Sequence, residues 1–201
     1  MAKQKYYVVW KGRNPGIYSN WDSCKQQIDG FEKAQYKSFP SREEAEEAYE
    51  KPASASLKKR KTPIPDNVIS PSISVDAACS GNPGIMEYQG VDTLSKRRIF
   101  HQGPFPEATV NIGEFLAIVH GLAMLKKIRS NMPIYSDSNT AISWLKKKKV
   151  NTKLVENEKN KKVMEMLYRA EKWIQENEFS NEIIKWPTQV WGEIPADFGR
   201  K

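Results

Sequence analysis

Four acidic residues stand in contexts where acids are uncommon. Asp76 lies inside the alternating run Ile73-Ser74-Val75-Asp76-Ala77, and Glu114 opens the otherwise apolar stretch from Ile112 to Leu125. Asp137 follows directly on Ile134-Tyr135-Ser136, and Asp197 ends the string Glu193-Ile194-Pro195-Ala196-Asp197. Singly, each has an ordinary explanation. Glu114 would complement a helix dipole, Asp137 would cap a helix beginning at Ser138-Asn139-Thr140, and Glu193 or Asp197 would be solvated. As a set they suggest one site. Carboxylates gathered at one place repel and raise each other's pKa, and a divalent cation removes that cost. Oxygen donors without a His/Cys set favour Mg²⁺ or Mn²⁺. Two such ions about 4 Å apart can activate a water on one side of a phosphodiester and stabilise the leaving oxygen on the other. With only two histidines in the chain, metals rather than a histidine pair would carry the acid–base load.

Elements able to bring these acids together can be read from periodicity. From residue 71 onward, strand-like runs at 73–77, 86–91 and 98–101 follow one another as a meander. An apolar helix over 112–125, a short buried strand at 134–136 and a helix over 140–147 come next. A long amphipathic helix over 157–177, a strand at 183–186 and a terminal helical turn over 193–198 complete the order. An antiparallel start followed by alternating elements implies a mixed sheet flanked by helices. Residues 5–49 form a smaller unit, read as strand, strand, helix, strand, helix. Asn20 or Asp22 would cap its first helix, and Ser41 with Glu44 makes a capping box for its second. Between the units, residues 51–70 are rich in Pro, Ser and Lys, with five basic residues against Asp66 alone, and read as a linker. The domains are therefore 1–50, a basic linker over 51–70, and 71–201.

Composition narrows the partners. The chain has 201 residues, 39% apolar and 28% charged, which suits two folded domains rather than a disordered chain. A net charge of +8 favours an anionic partner, nucleic acid or membrane surface. No apolar run reaches the roughly 18 residues of a membrane span, so no membrane association is expected. MAKQKYYVVW lacks the apolar core of a signal peptide, and a cytoplasmic protein is expected. Cys24 and Cys79 fall in different domains and indicate neither a disulfide framework nor a cysteine metal site.

Val75-Asp76 with Gly81-Asn82-Pro83-Gly84, Gly113-Glu114-Phe115, Tyr135-Ser136-Asp137-Ser138, Trp191-Gly192-Glu193 and Ala196-Asp197 occur in the order and spacing of type 1 ribonucleases H. The chain resembles the bacterial form with an N-terminal hybrid-binding domain, the likeness covering essentially all of 71–201 and also Tyr7 to Tyr49. The resemblance implies an α/β fold with a mixed five-stranded sheet flanked by helices, plus a small N-terminal α/β domain. It implies endonucleolytic hydrolysis of the RNA strand of RNA–DNA hybrids, leaving 5′-phosphate and 3′-hydroxyl ends, with two Mg²⁺ ions, or Mn²⁺, as cofactors. Asp76 would bridge both ions, Glu114 and Asp137 would hold the one that activates water, and Asp197 would contact the other. Glu193 would be an auxiliary acid in product release. Cys79, Gly81, Asn82, Asn111 and Asn139 match positions that contact RNA 2′-hydroxyls, the group that distinguishes RNA from DNA. Trp144, Thr152 and Lys153 match positions beside the DNA strand, with ordinary core packing an equal reading of Trp144.

In the small domain, Trp21 and Tyr36 would pack on DNA sugars while Tyr7 and Lys37 approach phosphates. Three positions depart from the family pattern: Val110 replaces a frequent amide, Asn139 is shorter than the usual Gln, and Ser38 stands where a second basic residue is common. A monomer without an obligate protein partner is expected. Two alternatives remain open from sequence: a hybrid- or double-stranded-RNA-binding protein that does not cut, and another two-metal nuclease of the same fold superfamily. The four carboxylates argue against the first, and the short acidic turn at 193–197 against the second.

Overall fold

Aromatic and β-branched residues fill Tyr6–Lys11, strand β1, which pairs antiparallel with Gly16–Tyr18 (β2) and Gln35–Phe39 (β3) in the order β2-β1-β3. Helices α1 (Trp21–Ile28) and α2 (Arg42–Tyr49) of this unit start at side-chain caps. The Ser23 N–H donates to the Asn20 side chain at 2.8 Å to begin α1. The Glu44 N–H donates to Ser41 at 3.2 Å to begin α2. Each cap satisfies an amide that the first helical turn leaves without a partner. Val8, Val9, Cys24, Ala45 and Ala48 make the small core, and Trp10 donates its indole N–H to the Ala48 carbonyl at 3.2 Å. The structure, a computed structural model, describes residues 4–53 and 64–199, which belong to two separate compact units. Residues 54–63 of the expected linker lie outside the described residues.

In the second unit, Ile73–Cys79 (β4), Gly84–Asp92 (β5) and Arg98–Ala108 (β6) form the antiparallel meander. Ile134–Ser136 (β7) and Ile183–Lys185 (β8) add in parallel, giving the order β6-β5-β4-β7-β8. The α/β architecture with a mixed five-stranded sheet is thus the one implied by the family resemblance. Four helices complete it: α3 (Val110–Lys127), α4 (Asn139–Lys147), α5 (Lys161–Glu176) and α6 (Thr188–Trp191).

Alternation along β4 divides the two faces of the sheet. Ile73, Val75 and Ala77 join Met86, Tyr88 and Ile134 in a core that includes Phe115, Ile118 and Leu122 of α3. Burial of each large side chain there contributes about 1.5–3 kcal/mol. Glycines permit the close approach of helix and sheet. A Cβ on Gly113 would lie 2.7 Å from both the Ala77 Cβ and the Met86 Sδ. The other face carries Tyr135, covered by Trp186 and Ile194 in a second apolar cluster with Val68.

Three segments differ from the sequence reading. Strand β6 continues to Ala108 instead of stopping near His101, although Pro104 and Pro106 would normally end a strand. It lies at the edge of the sheet, where an absent N–H need not break a ladder bond. Helix α5 begins at Lys161 rather than 157, because Asn157 and Asn160 first bond each other's backbone: Asn157 N–H donates to Asn160 Oδ1 at 2.8 Å and Asn160 N–H to Asn157 Oδ1 at 3.1 Å. Such local bonds compete with helix. The expected helical turn over 193–198 is not formed, so Glu193 and Asp197 do not share a helix face. Gly192 at φ +75° ends the short α6, and a turn follows in which Asp197 N–H donates to the Ile194 carbonyl at 2.9 Å. Among the described residues no helix is long and apolar enough to cross a membrane.

Candidate active site

Strand β4 presents Asp76, the first turns of α3 present Glu114, and the segment between β7 and α4 presents Asp137. One carboxylate oxygen from each lies within 4.8 Å of the others. All three are partly buried. They line a cleft of about 270 Å³ together with Ala77, Ala78, Cys79, Gly81, Val110, Asp197 and Phe198. The Asp76 carboxyl is pushed up to about 8, chiefly by burial and then by Asp137, with smaller contributions from Glu114 and Asp197; a hydrogen bond from the Ala77 backbone acts in the opposite sense. Glu114 is pushed up to about 7 by burial and by Asp137, against a hydrogen bond with Ser138 and the charge of Lys185. Acids so placed gain from a cation that supplies opposite charge, and an all-oxygen donor set suits a hard divalent ion. The donor set therefore fits a divalent metal.

A second cleft, of about 390 Å³, is lined by Asn82, Pro83, Thr109, Asn111, Trp144, Asn151, Thr152, Lys153 and Leu154. The chain joins it to the acidic cleft at Gly81-Asn82 and Val110-Asn111. Most of the expected RNA and DNA contacts are therefore brought together in two groups: Cys79 and Gly81 with the acids, and Asn82, Asn111, Trp144, Thr152 and Lys153 beside them. The core-packing reading of Trp144 is the one the structure shows. It is buried against Phe115, ring centroids 5.9 Å apart, and its surface forms part of the cleft wall. The Cys79 thiol donates to the Ala108 carbonyl at 3.4 Å. Asn139, the exposed first residue of α4, and Glu193 are not among the residues lining either cleft.

Three residues that sequence reasoning did not single out support the acids. Ser138 accepts from the Ala141 N–H at 3.1 Å, capping α4, and its side chain also bonds Glu114. The sequence reading offered Asp137 as the cap of this helix; the cap is Ser138, one residue later, which leaves the Asp137 carboxylate for the cleft. Lys185 of β8 donates to the Asp137 carbonyl and lowers the Glu114 carboxyl through its charge. Gln89, buried on β5, is the cross-strand neighbour of Asp76. Neither had a local signal, since both reach the site through sheet pairing across many residues.

In the N-terminal unit the Tyr7 and Trp21 ring centroids lie 5.4 Å apart and those of Trp21 and Tyr36 5.9 Å apart. Trp21 and Tyr36 are 42% and 41% exposed, unusual for large aromatics that could have joined a core. Strand alternation sets Lys37 on the opposite side from Tyr36, with its ammonium 5.8 Å from the Phe39 ring. Ser38 faces Tyr7 across the β1–β3 pair.

A family model described as RNase H matches residues 71–186, and one described as Ribonuclease H1 N-terminal domain matches residues 5–49. The Ribonuclease H of Saccharomyces cerevisiae is 52% identical over 46 residues, covering 22% of this chain and 13% of the yeast protein. That of Crithidia fasciculata is 54% identical over 43 residues, 21% of this chain and 9% of its own length. The chain thus spans only a small part of these two relatives. The Ribonuclease H of Wolbachia sp. subsp. Drosophila simulans is 32% identical over 99 residues, 47% of this chain and 68% of that protein.

Proposed function

The chain belongs to the RNase H family, and from that premise we propose that it is an endonuclease that hydrolyses the RNA strand of RNA–DNA hybrids. The observation that carries this reading is the convergence of Asp76, Glu114 and Asp137, with oxygens within 4.8 Å, in a cleft shared with Asp197. These four carboxylates would hold two Mg²⁺ ions, or Mn²⁺. When bound, such ions supply a water activated for attack and stabilisation of the leaving oxygen, giving 5′-phosphate and 3′-hydroxyl ends.

The chain's own residues do the rest. Ser138 and Lys185 orient Glu114 and Asp137 before substrate arrives. Asn82 and Asn111 offer amide groups to ribose 2′-hydroxyls at the mouth of the second cleft, with Gly81 and Cys79 admitting backbone approach. Trp144, Thr152 and Lys153 form the wall suited to the DNA strand, where Lys153 meets phosphate. Asn139 would reach the RNA from the start of α4, and Glu193 would act in product release. Trp21 and Tyr36 would offer ring faces to deoxyribose, with Tyr7 beside them and Lys37, on the other side of β3, approaching phosphates. The free cysteines Cys24 and Cys79 accord with a reducing, cytoplasmic setting, and we take the protein to act as a monomer.

A panel of labelled RNA–DNA hybrid, double-stranded RNA and double-stranded DNA tests this reading. Only the RNA strand of the hybrid should be cut, with 5′-phosphate ends on the fragments. Tight hybrid binding without cutting in either metal would favour the non-cutting alternative.

A further inference from the structure

Asp197 lies in a stretch, residues 192–199, that contains neither helix nor strand. A carboxylate in such a stretch has no helix or strand to aim it; its own turn supplies one bond, from the Gly199 N–H to Asp197 Oδ2 at 2.9 Å, and Asp197 lines the same cleft as Asp76, Glu114 and Asp137. Apolar seats hold part of the segment, since Ile194 and Ala196 are buried. The polar hold on the residue just before Asp197 comes from the sheet: Gln89 Nε2 donates to the Ala196 carbonyl at 2.6 Å.

The register of β4 and β5 sets Gln89 directly opposite Asp76. Cross-strand partners share a face, with Cβ atoms about 4.5–5.5 Å apart. The same sheet position therefore sets the acid of β4 and the side chain that fixes the turn carrying Asp197. The orientation of the amide is also determined. Gln89 Oε1 accepts from Arg98 Nε at 3.0 Å. Guanidinium has donors only, so the amide oxygen must face Arg98 and the NH₂ must face Ala196. On the far side of Asp197, Phe198 packs on His101, ring centroids 6.1 Å apart, and His101 bonds Glu87 at 2.7 Å. His101 is itself the β6 partner of Gln89.

We propose that Gln89, oriented by Arg98, is a positioning residue that sets the Asp197 carboxylate toward Asp76 for divalent-metal binding. This inference rests on the metal-dependent reading above. Gln89 touches neither metal nor substrate in this role; it acts through the Ala196 carbonyl.

Gln89→Glu isolates the donor, because the carboxylate keeps the shape and the Arg98 contact but presents an acceptor to the Ala196 carbonyl. Arg98→Gln instead removes the group that fixes the amide. Outer partners of metal ligands typically govern about 10–100-fold in metal affinity or activity. In the full chain, Gln89→Glu should therefore raise the Mg²⁺ concentration for half-maximal cleavage about tenfold, with KM for hybrid within about twofold of wild type. Calorimetric Mn²⁺ titration without substrate should show the same weakening, and Arg98→Gln a smaller one. Metal titrations superimposable on wild type for both variants, in protein that still melts cooperatively, would overturn the proposal; so would a loss confined to KM. If the wild type itself cuts no hybrid, the activity reading fails separately, and the calorimetric comparison alone decides the role of Gln89.

Discussion

Asp76 sits where burial and three neighbouring acids act on one carboxyl, which is held up to about 8. A raised acid affects stability in the opposite sense to a salt-bridged one. Between about pH 4 and pH 8 the folded state keeps this proton while the unfolded chain has released it, so the folded state binds more protons and stability falls as pH rises. Glu114, held up to about 7, adds to the same trend over the lower part of that window. In EDTA the melting temperature should decline from pH 5 to pH 8. Asp76→Asn should flatten that decline and stabilise the metal-free protein at pH 8 by on the order of 1–3 kcal/mol while abolishing cleavage. Melts in EDTA across this range would refute the electrostatic reading if the two proteins kept parallel profiles. Ser138 joins two tasks, the cap of α4 and the bond to Glu114. Ser138→Ala should cost about 1 kcal/mol in denaturant unfolding. It should also reduce cleavage at saturating hybrid, whereas a pure cap would change stability alone.

Among the elements, α3 and β4 meet at a distance that only glycine allows. In Gly113→Ala the new methyl would stand 2.7 Å from Ala77 and Met86, and the helix must move off the sheet, carrying the adjacent Glu114 with it. Overpacking of this kind typically costs about 1–3 kcal/mol. A drop in the unfolding midpoint of that size, together with reduced cleavage below the melting transition, is the expected result; normal cleavage in the folded variant would show that Glu114 tolerates the shift. The elements that place Asp76, Glu114 and Asp137 were legible in the sequence because each acid stands out against its surroundings: Asp76 in the period-two run of β4, Glu114 in the almost continuously apolar run of α3, and Asp137 directly after the short apolar run of β7. The turn carrying Asp197 was not, because Gly192, Pro195 and a glutamine more than a hundred residues away decide its path, and periodicity reports none of these. The length of β6 was hidden by two prolines whose tolerance depends on an edge position visible only in the sheet order. Motif order supplied what local physics could not, namely that Asp197 belongs with the other three.

At the scale of the molecule, two units share one chain: an N-terminal one with exposed Trp21 and Tyr36, and a second with the acidic cleft. Tethering would raise the local concentration of hybrid at the acids without any new contact. Removing residues 1–50 should leave single-turnover cleavage at saturating hybrid unchanged and weaken hybrid binding; unchanged affinity would contradict a binding role for that unit. Trp21→Ala in the full chain should weaken hybrid binding in the same direction, with cleavage at saturating hybrid unchanged. The most direct test remains cleavage of a labelled RNA–DNA hybrid by the wild type and by Asp137→Asn, each with Mg²⁺ and with EDTA. Cutting of the RNA strand only by the wild type and only with Mg²⁺ is the predicted result, while cutting that survives either the chelator or the substitution would contradict a carboxylate-held metal centre.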